Sequence, residues 1–344
     1  MKVRLLASTM TAAIALALPT AARADDPLFA SNDQIQLTMK ASFNTLFRNR
    51  QSNDLIPGVL TDPAGNSLPI SLRLRGITRR TSEVCQFPPL RVDFTAPPPP
   101  TSVFAGQKRL KLVTHCQSQA SFQQKVLLEY ASYKMYNVLT PHSFRVRLAN
   151  INYQDADGRP ITTRVGYFIE DLKDVAKRNG TVETKAPPLI PVADLAAADA
   201  GRYAMFQHLI SNHDWSMRAG PQGEECCHNA QLIGPLGPGT TIAIPYDFDF
   251  SGLVDAPYAS APDELRINSV RERKYRGYCA HNAEALAAAR QMREMRPQMI
   301  AALTSVPGLD PGTQKKAISY LDGFFATDGS DADAQAKILN RCVG

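Results

Sequence analysis

Three polar positions in the second half of the chain carry the side-chain types that phosphoryl transfer needs. Asp214 lies in a polar loop after a helical pattern, Asn229 follows fifteen residues later, and Asp247 stands in a Tyr-Asp-Phe-Asp sequence. A carboxylate can accept the proton of a substrate hydroxyl, and oxygen ligands suit Mg²⁺. The order predicts Asp214 as a catalytic base, followed by metal ligands. The alternatives are structural: a turn at Asp214 and a helix cap at Asn229.

A second carboxylate, Asp249, is a further candidate for the same metal site. Asp247 and Asp249 flank Phe248, and both would point to one side of an extended segment because strand side chains alternate. Two carboxylates this close repel each other unless a cation lies between them. A surface turn before Gly252 is the alternative, and it leaves the apolar residues on the opposite face unexplained.

Glu129 and several basic residues of the first half are candidates for a phosphate clamp. Glu129 interrupts the apolar face of a helix predicted over 122–139, a position from which it can pair with a cation. Lys111 or Arg91, each on a predicted strand, is the candidate partner, and exposure of Glu129 to solvent is the alternative. The sequence contains no glycine-rich phosphate loop, so phosphate cradling is assigned to Arg75-Gly76 and nearby backbone amides.

Together these motifs resemble the spore-coat protein H (CotH-like) family, an atypical kinase-fold family, over about residues 68–255. The matching motifs are Arg75-Gly76, Gly166-Tyr167 with Glu170, Asn212-His213-Asp214, Asn229, and Tyr246 to Asp249 with Tyr in place of the family's Trp. The resemblance implies a two-lobed α+β kinase-like fold, with an antiparallel sheet lobe over 25–190 and a mainly helical lobe over 191–344. It also implies ATP and Mg²⁺, or Mn²⁺, as cofactors.

Two other functions compete with a kinase-like activity. An inactive binding or structural protein would keep the fold without the reaction, because fold does not settle function and ATP is scarce outside the cytoplasm. A zinc site is the third possibility, since imidazole and thiolate groups cluster within twenty-one positions, although no standard zinc spacing is present. The candidate zinc ligands are His208, His213, Cys226, Cys227 and His228.

The N-terminus predicts export. Lys2 and Arg4 precede an apolar run, and Ala22-Arg23-Ala24 supplies the small residues that a signal peptidase reads. We expect cleavage after residue 24, a periplasmic or secreted protein, and no membrane span in the mature chain. Cleavage lowers the formal charge from +6 to +3, because three basic residues and no acidic residue are lost. Basic residues interleaved with aromatic ones are absent, so we expect a protein or small-molecule acceptor and no nucleic acid partner.

The even number of cysteines predicts up to three disulfides in an oxidising compartment. The six cysteines are Cys85, Cys116, Cys226, Cys227, Cys279 and Cys342. The first two flank one predicted sheet segment, which favours pairing within each half of the chain. Bonds from the adjacent pair to the last two would tether the segment before Asn229 to the downstream helices.

Periodicity predicts a sheet-rich first half and a mainly helical second half, with a boundary in the proline-rich segment 181–191. The predicted strands lie near 68–74, 90–94, 110–114, 143–153, 164–170, 232–233 and 241–246. The predicted helices lie near 122–139, 196–210, 282–303 and 311–325. The amphipathic run 35–47 is compatible with either a helix or a strand.

Overall fold

The computed structural model describes residues 26–344, which contain nine β-strands and eight α-helices. The strands are β1 (Ile35–Ala41), β2 (Ile56–Thr61), β3 (Ser67–Leu74), β4 (Leu90–Phe94), β5 (Arg109–Val113), β6 (Val146–Gln154), β7 (Pro160–Ile169), β8 (Ala230–Ile233) and β9 (Ile242–Pro245). The helices are α1 (Phe43–Arg48), α2 (Ala120–Leu139), α3 (Leu172–Arg178), α4 (Ala197–Ile210), α5 (Asn282–Glu294), α6 (Arg296–Thr304), α7 (Pro311–Thr327) and α8 (Asp331–Lys337). The expected signal peptide lies outside the described residues.

Seven strands close into a barrel in the order β1-β2-β3-β4-β5-β7-β6, and β8 and β9 form a separate antiparallel pair. Neighbours in the barrel are antiparallel except β1 and β6, which are parallel with Ile35 opposite Ala149. Alternate side chains point inward, so that Leu72, Val92 and Leu112 are fully buried in an apolar interior. The barrel is therefore filled by its own side chains, and polar residues of the same strands face outward.

The expected two-lobed kinase-like fold is wrong, because the chain forms a closed mixed barrel, a small second sheet and eight helices within residues 26–344. The expectation assumed an open antiparallel sheet. Closure depends on β1, within the run whose character the sequence left undecided, because its parallel pairing with β6 joins the two ends of the sheet. Alternation along a strand predicts which face is buried, but it does not identify a partner about a hundred residues away.

Helix α2 lies between the barrel and the helical part of the protein. It packs on β6 and β7 on one side and on α6 on the other. Leu127, Ala131 and Met135 have no exposed surface, and the same apolar cluster extends into α4, α5 and α7. A helix buried this completely is a rigid support for any polar side chain that it carries.

Most of the predicted helices and strands are confirmed, but one predicted helix is two helices and several elements were not predicted. The helix expected over 282–303 is two helices, since Pro297 stands at the second position of α6, where a missing N–H is tolerated but a continuing helix is not. The hairpin between β6 and β7 is confirmed, with Gly158 at φ 87° in its turn. The sequence analysis missed β2, α3 and α8.

Three disulfides are present, as the cysteine count predicts: Cys85–Cys116, Cys226–Cys227 and Cys279–Cys342. The expected bonds from Cys226 and Cys227 to the last two cysteines are wrong, because the adjacent cysteines pair with each other. The segment before Asn229 is thus cross-linked within itself and not to the downstream helices.

Across residues 26–344, the helices are all too short or too polar to cross a membrane.

Candidate functional site

Three carboxylates from two parts of the chain meet around one guanidinium group. Glu129 lies on α2, Asp247 and Asp249 follow β9, and one oxygen of each lies within 4.8 Å of the others. Arg79 donates to Glu129 Oε2 at 3.1 Å, and its Nε lies 3.1 Å from Asp249 Oδ2. The Arg79 guanidinium also donates to Asp247 Oδ1. This acidic cluster therefore holds three carboxylates and a single cationic side chain, Arg79.

The three carboxylates differ in burial and in pKa. Burial raises the pKa of Glu129, and it raises that of Asp249 well above the ordinary range, although Arg79 opposes both shifts. Burial also raises the pKa of Asp247, but Arg79 and Arg75 outweigh it and hold this pKa below the ordinary value. The Asp247 side chain is 25% exposed, against 3% for Glu129. Asp247 is therefore the charged carboxylate of the acidic cluster that faces solvent.

The turn that carries Asp247 is pinned to the helix that carries Glu129. The backbone N–H of Asp247 donates to the hydroxyl of Tyr133 at 2.8 Å, and Asp247 has a left-handed φ of 61°. Tyr133 stands four residues after Glu129, on the same face of α2. Phe248 is fully buried against Tyr133, with ring centroids 4.7 Å apart. This apolar anchor leaves the two flanking carboxylates pointing toward Arg79.

A second polar group is centred on Asp214, in the loop after α4. Asp214 Oδ1 lies 2.6 Å from His228 Nε2, and Oδ2 accepts a hydrogen bond from the Asn229 amide nitrogen at 2.8 Å. The same amide nitrogen donates to the Asp214 carbonyl at 2.7 Å. The hydrogen bond to Asp214 raises the pKa of His228. Since its nitrogen is occupied, Asn229 has its amide oxygen left to bind a ligand.

Residues of both groups border one cleft. It has a volume of about 450 Å³, and it is bordered by four of the residues that the sequence predicts for the base and the metal, together with both residues of the predicted phosphate cradle. These residues are Asp214, Asn229, Asp247, Asp249, Arg75 and Gly76. Residues separated by more than 170 positions in the chain are thus brought together at one surface. We call this the acidic cleft.

An adjoining cleft of about 690 Å³ has the opposite charge, and it shares Arg75 and Gly76 with the acidic cleft. Lys111 and Arg91, the candidate phosphate-binding residues, lie opposite each other on β5 and β4 and border it. Lys111 Nζ lies 4.6 Å from the centre of the Tyr246 ring. Burial lowers the pKa of Lys111 to about 7, with a further contribution from Arg75. We call this the basic cleft.

Two residues of the site, Arg79 and His228, have contacts that the sequence does not predict. Glu129 was expected to pair with Lys111 or Arg91, whereas its ion-pair partner is Arg79, and Arg91 bonds to Asp93. Arg79 lies in a short turn after β3, and the only sequence signal was the density of arginines in that turn. His228 was considered only as a zinc ligand, whereas it orients Asp214.

The residues of the zinc alternative do not form a metal site in the described part of the chain. The thiol groups of Cys226 and Cys227 are consumed in a disulfide. His213 bonds to the backbone carbonyl of Glu272, and His228 bonds to Asp214. Within residues 26–344, the place where ligand atoms of at least three His, Cys, Asp or Glu side chains converge is the acidic cluster.

No protein-family model matches the chain, and no curated protein is found to be similar to it.

Proposed function

We propose that this protein transfers a phosphoryl group from ATP to a hydroxyl group of a protein or small-molecule acceptor, with Mg²⁺ or Mn²⁺. The observation that carries the proposal is a cleft that Asp214 borders together with Asp247 and Asp249 of the acidic cluster, beside the basic cleft. The proposal rests on these contacts and not on the expected kinase-like fold. The three disulfides and the expected signal peptide support an exported location.

The donor set suits a hard divalent cation. Carboxylate oxygens of Asp247 and Asp249 and the amide oxygen of Asn229 are the ligands that Mg²⁺ prefers. Arg79 supplies one positive charge to the acidic cluster, and a bound divalent ion would favour the charged forms of the buried carboxylates whose pKa values are raised. When bound, Mg²⁺ would offset the negative charge of the transferred phosphoryl group and of its leaving group.

Asp214 is the proposed base that accepts the proton of the acceptor hydroxyl. His228 and Asn229 hold its two oxygens in place, which keeps the carboxylate in one orientation at little entropic cost during the reaction. Arg75 borders both clefts, and Lys111 borders the basic cleft beside Tyr246, a residue of the acidic cleft. These two residues are the proposed phosphate ligands. A phosphate beside Lys111 would favour its charged form.

A second candidate function is binding without catalysis, and one observation favours it. Arg79 already bridges all three carboxylates and supplies the acidic cluster with an internal cation. With Arg79 as a permanent counter-ion, and with burial favouring the neutral forms of Glu129 and Asp249, the acidic cluster would have no need of a metal. The composition supports no nucleic acid partner in either case.

Phosphoryl transfer from γ-labelled ATP separates the two candidates. We expect Mg²⁺-dependent transfer or phosphate release by the wild type, a loss of about 10²–10⁴-fold in Asp214→Asn, and loss of activity together with ATP·Mg²⁺ binding in Asp247→Asn. Asp263→Asn is the matched control, because it makes the same substitution at an exposed position in a short helical turn outside both clefts. A wild type that neither binds nor turns over ATP with either metal would favour the binding protein.

A further inference from the structure

The outer face of the barrel beside the site carries four basic side chains on three neighbouring strands. Arg73 on β3 is opposite Arg91 on β4, and Arg91 is opposite Lys111 on β5. Arg109 precedes Lys111 by two positions, so it lies on the same face. We call Arg73, Arg91, Arg109 and Lys111 the basic wall. All four residues border the basic cleft.

The positive charge of the basic wall is only partly neutralised by the protein. Arg91 pairs with Asp93 at 2.6 Å, whereas Arg109 approaches Asp171 only to 3.9 Å. Arg73 makes no ion pair with any residue of the described chain. Burial lowers the pKa of Arg73, Arg91 adds to this shift, and the more distant Asp93 carboxylate opposes it. Like charges directly opposite across strands destabilise a sheet. A bound anion would remove this repulsion.

The walls of the basic cleft are poorly suited to a purine base. Among the residues that the structure describes, no aromatic side chain borders it. The aliphatic residues at its edge, such as Leu74, Leu110 and Ile169, are 3% exposed or less and offer little surface to a ring. Base recognition normally uses flat apolar or aromatic surfaces. Recognition here must therefore come from phosphate charge.

We propose that the basic wall binds a chain of linked phosphates and that inorganic polyphosphate occupies the basic cleft more tightly than ATP. The chain would begin near Asp247, pass Arg75 and Lys111, and continue across the strands to Arg73. Two interstrand steps from Lys111 to Arg73 add about 10 Å of positively charged surface. That surface lies beyond the Arg75–Lys111 pair proposed for ATP.

As a reaction, this inference rests on the proposed function, with polyphosphate as the phosphoryl donor. The oxygen of the acceptor hydroxyl forms a new bond to the terminal phosphorus, and its proton passes to Asp214. The terminal P–O–P bond breaks, and its electron pair remains on the new end of the chain. The products are a phosphate ester and a polyphosphate shorter by one unit. The binding itself does not require transfer.

Calorimetry tests the inference by measuring the affinity of the protein for phosphate ligands in the absence of an acceptor. The ligands are tripolyphosphate, a longer linear polyphosphate, ATP and adenosine tetraphosphate. We expect affinity to rise with the number of phosphates and the long chain to bind more tightly than ATP. Equal affinity of ATP and tripolyphosphate, which have the same number of phosphates, would show that the base is not recognised. Much tighter binding of ATP than of tripolyphosphate would identify a nucleotide as the ligand and overturn the choice of polyphosphate.

The double variant Arg73→Gln/Arg109→Gln removes two charges from the basic wall without breaking a close ion pair. We expect it to weaken binding of the long chain about tenfold or more. Lys315→Gln/Lys316→Gln on α7 is the control with the same change of charge at exposed positions outside the basic cleft, and we expect it to bind like the wild type. Melting curves verify that both variants are folded.

An equal loss of affinity for the long chain in the two double variants would show that only the net charge of the protein matters. That result would contradict a binding site at the basic wall. Tighter binding of ATP than of the long chain would also overturn the inference, while leaving ATP-dependent transfer intact. Binding of polyphosphate that depends on the basic wall, without transfer from any donor, would uphold the inference and contradict the proposed function.

Discussion

The two adjoining clefts share Arg75 and Gly76 but balance their charges in different ways. In the acidic cluster the protein supplies its own cation, since Arg79 contacts all three carboxylates and is almost fully buried. On the basic wall Arg73 has no carboxylate partner in the described chain. The comparison indicates that charge in the acidic cluster contributes to folding, whereas charge on the basic wall is available for binding.

Removal of Arg79 should have the largest effect on stability. We expect Arg79→Gln to lower the free energy of unfolding by about 3–5 kcal/mol, because it leaves buried carboxylates without a counter-charge. Arg80→Gln is the control one residue away: its guanidinium bonds to Ser52 and Asn53 outside the acidic cluster, and we expect a loss of about 1.5 kcal/mol or less. Urea unfolding measures both values. Similar losses in the two variants would contradict the assignment of Arg79 as the internal cation.

Two disulfides of similar stabilising effect should differ in their effect on the clefts. Cys85–Cys116 closes 31 residues and fixes the chain six residues after Arg79, whereas Cys279–Cys342 closes 63 residues near α5 and α8. Chain entropy predicts that replacing either pair with serine costs about 4 kcal/mol. We expect only the first replacement to weaken ATP·Mg²⁺ binding as well, measured by calorimetry under conditions where both variants remain folded. Equal binding by both variants would show that this cross-link does not support the site.

Much of the local structure could be predicted from the sequence, but barrel closure could not. Alternating residues located β3, β4 and β5, and helical periodicity located α2 and α4. These signals act over a few residues. Closure depends on a parallel pairing between strands far apart in the chain, and this pairing leaves no local pattern in either strand.

The candidate site shows the same limit at the level of single side chains. Asp247 and Asp249 do contact one partner, Arg79, but the extended segment expected from their spacing is absent, because Asp247 has a left-handed φ of 61° and Asp249 begins a turn. The sequence could not identify that partner, because Arg79 and Arg80 are adjacent residues of the same type. The conformation of the short turn over Thr78–Arg80 places the Arg79 side chain in the acidic cluster and the Arg80 side chain beside Asn53. The role of His228 likewise depends on a bond across a loop.

Lys111, at the junction of the clefts, should make phosphate binding depend on pH. Its pKa of about 7 lies below the ordinary value of about 10.4, so the ligand-free protein loses this charge as pH rises above 7. A phosphate favours the charged form, and binding above pH 7 therefore takes up a proton. We expect affinity for ATP or polyphosphate to fall by up to about tenfold per pH unit between pH 7.5 and 9.

Lys111→Arg provides the control, because arginine remains charged throughout this pH range. We expect calorimetry in buffers of different ionisation enthalpy to detect proton uptake in the wild type and little in Lys111→Arg. The same uptake in both proteins would assign the titration to another group.

Anomalous diffraction from crystals grown with Mn²⁺ and ATP tests the central claim most directly. The account predicts a manganese peak in contact with Asp247, with Asp249 and the amide oxygen of Asn229 as further ligands, and no peak at this position in Asp247→Asn crystals. The absence of a manganese peak from the acidic cluster at saturating Mn²⁺ and ATP would contradict this claim. Arg79 would then be the permanent cation of a binding protein.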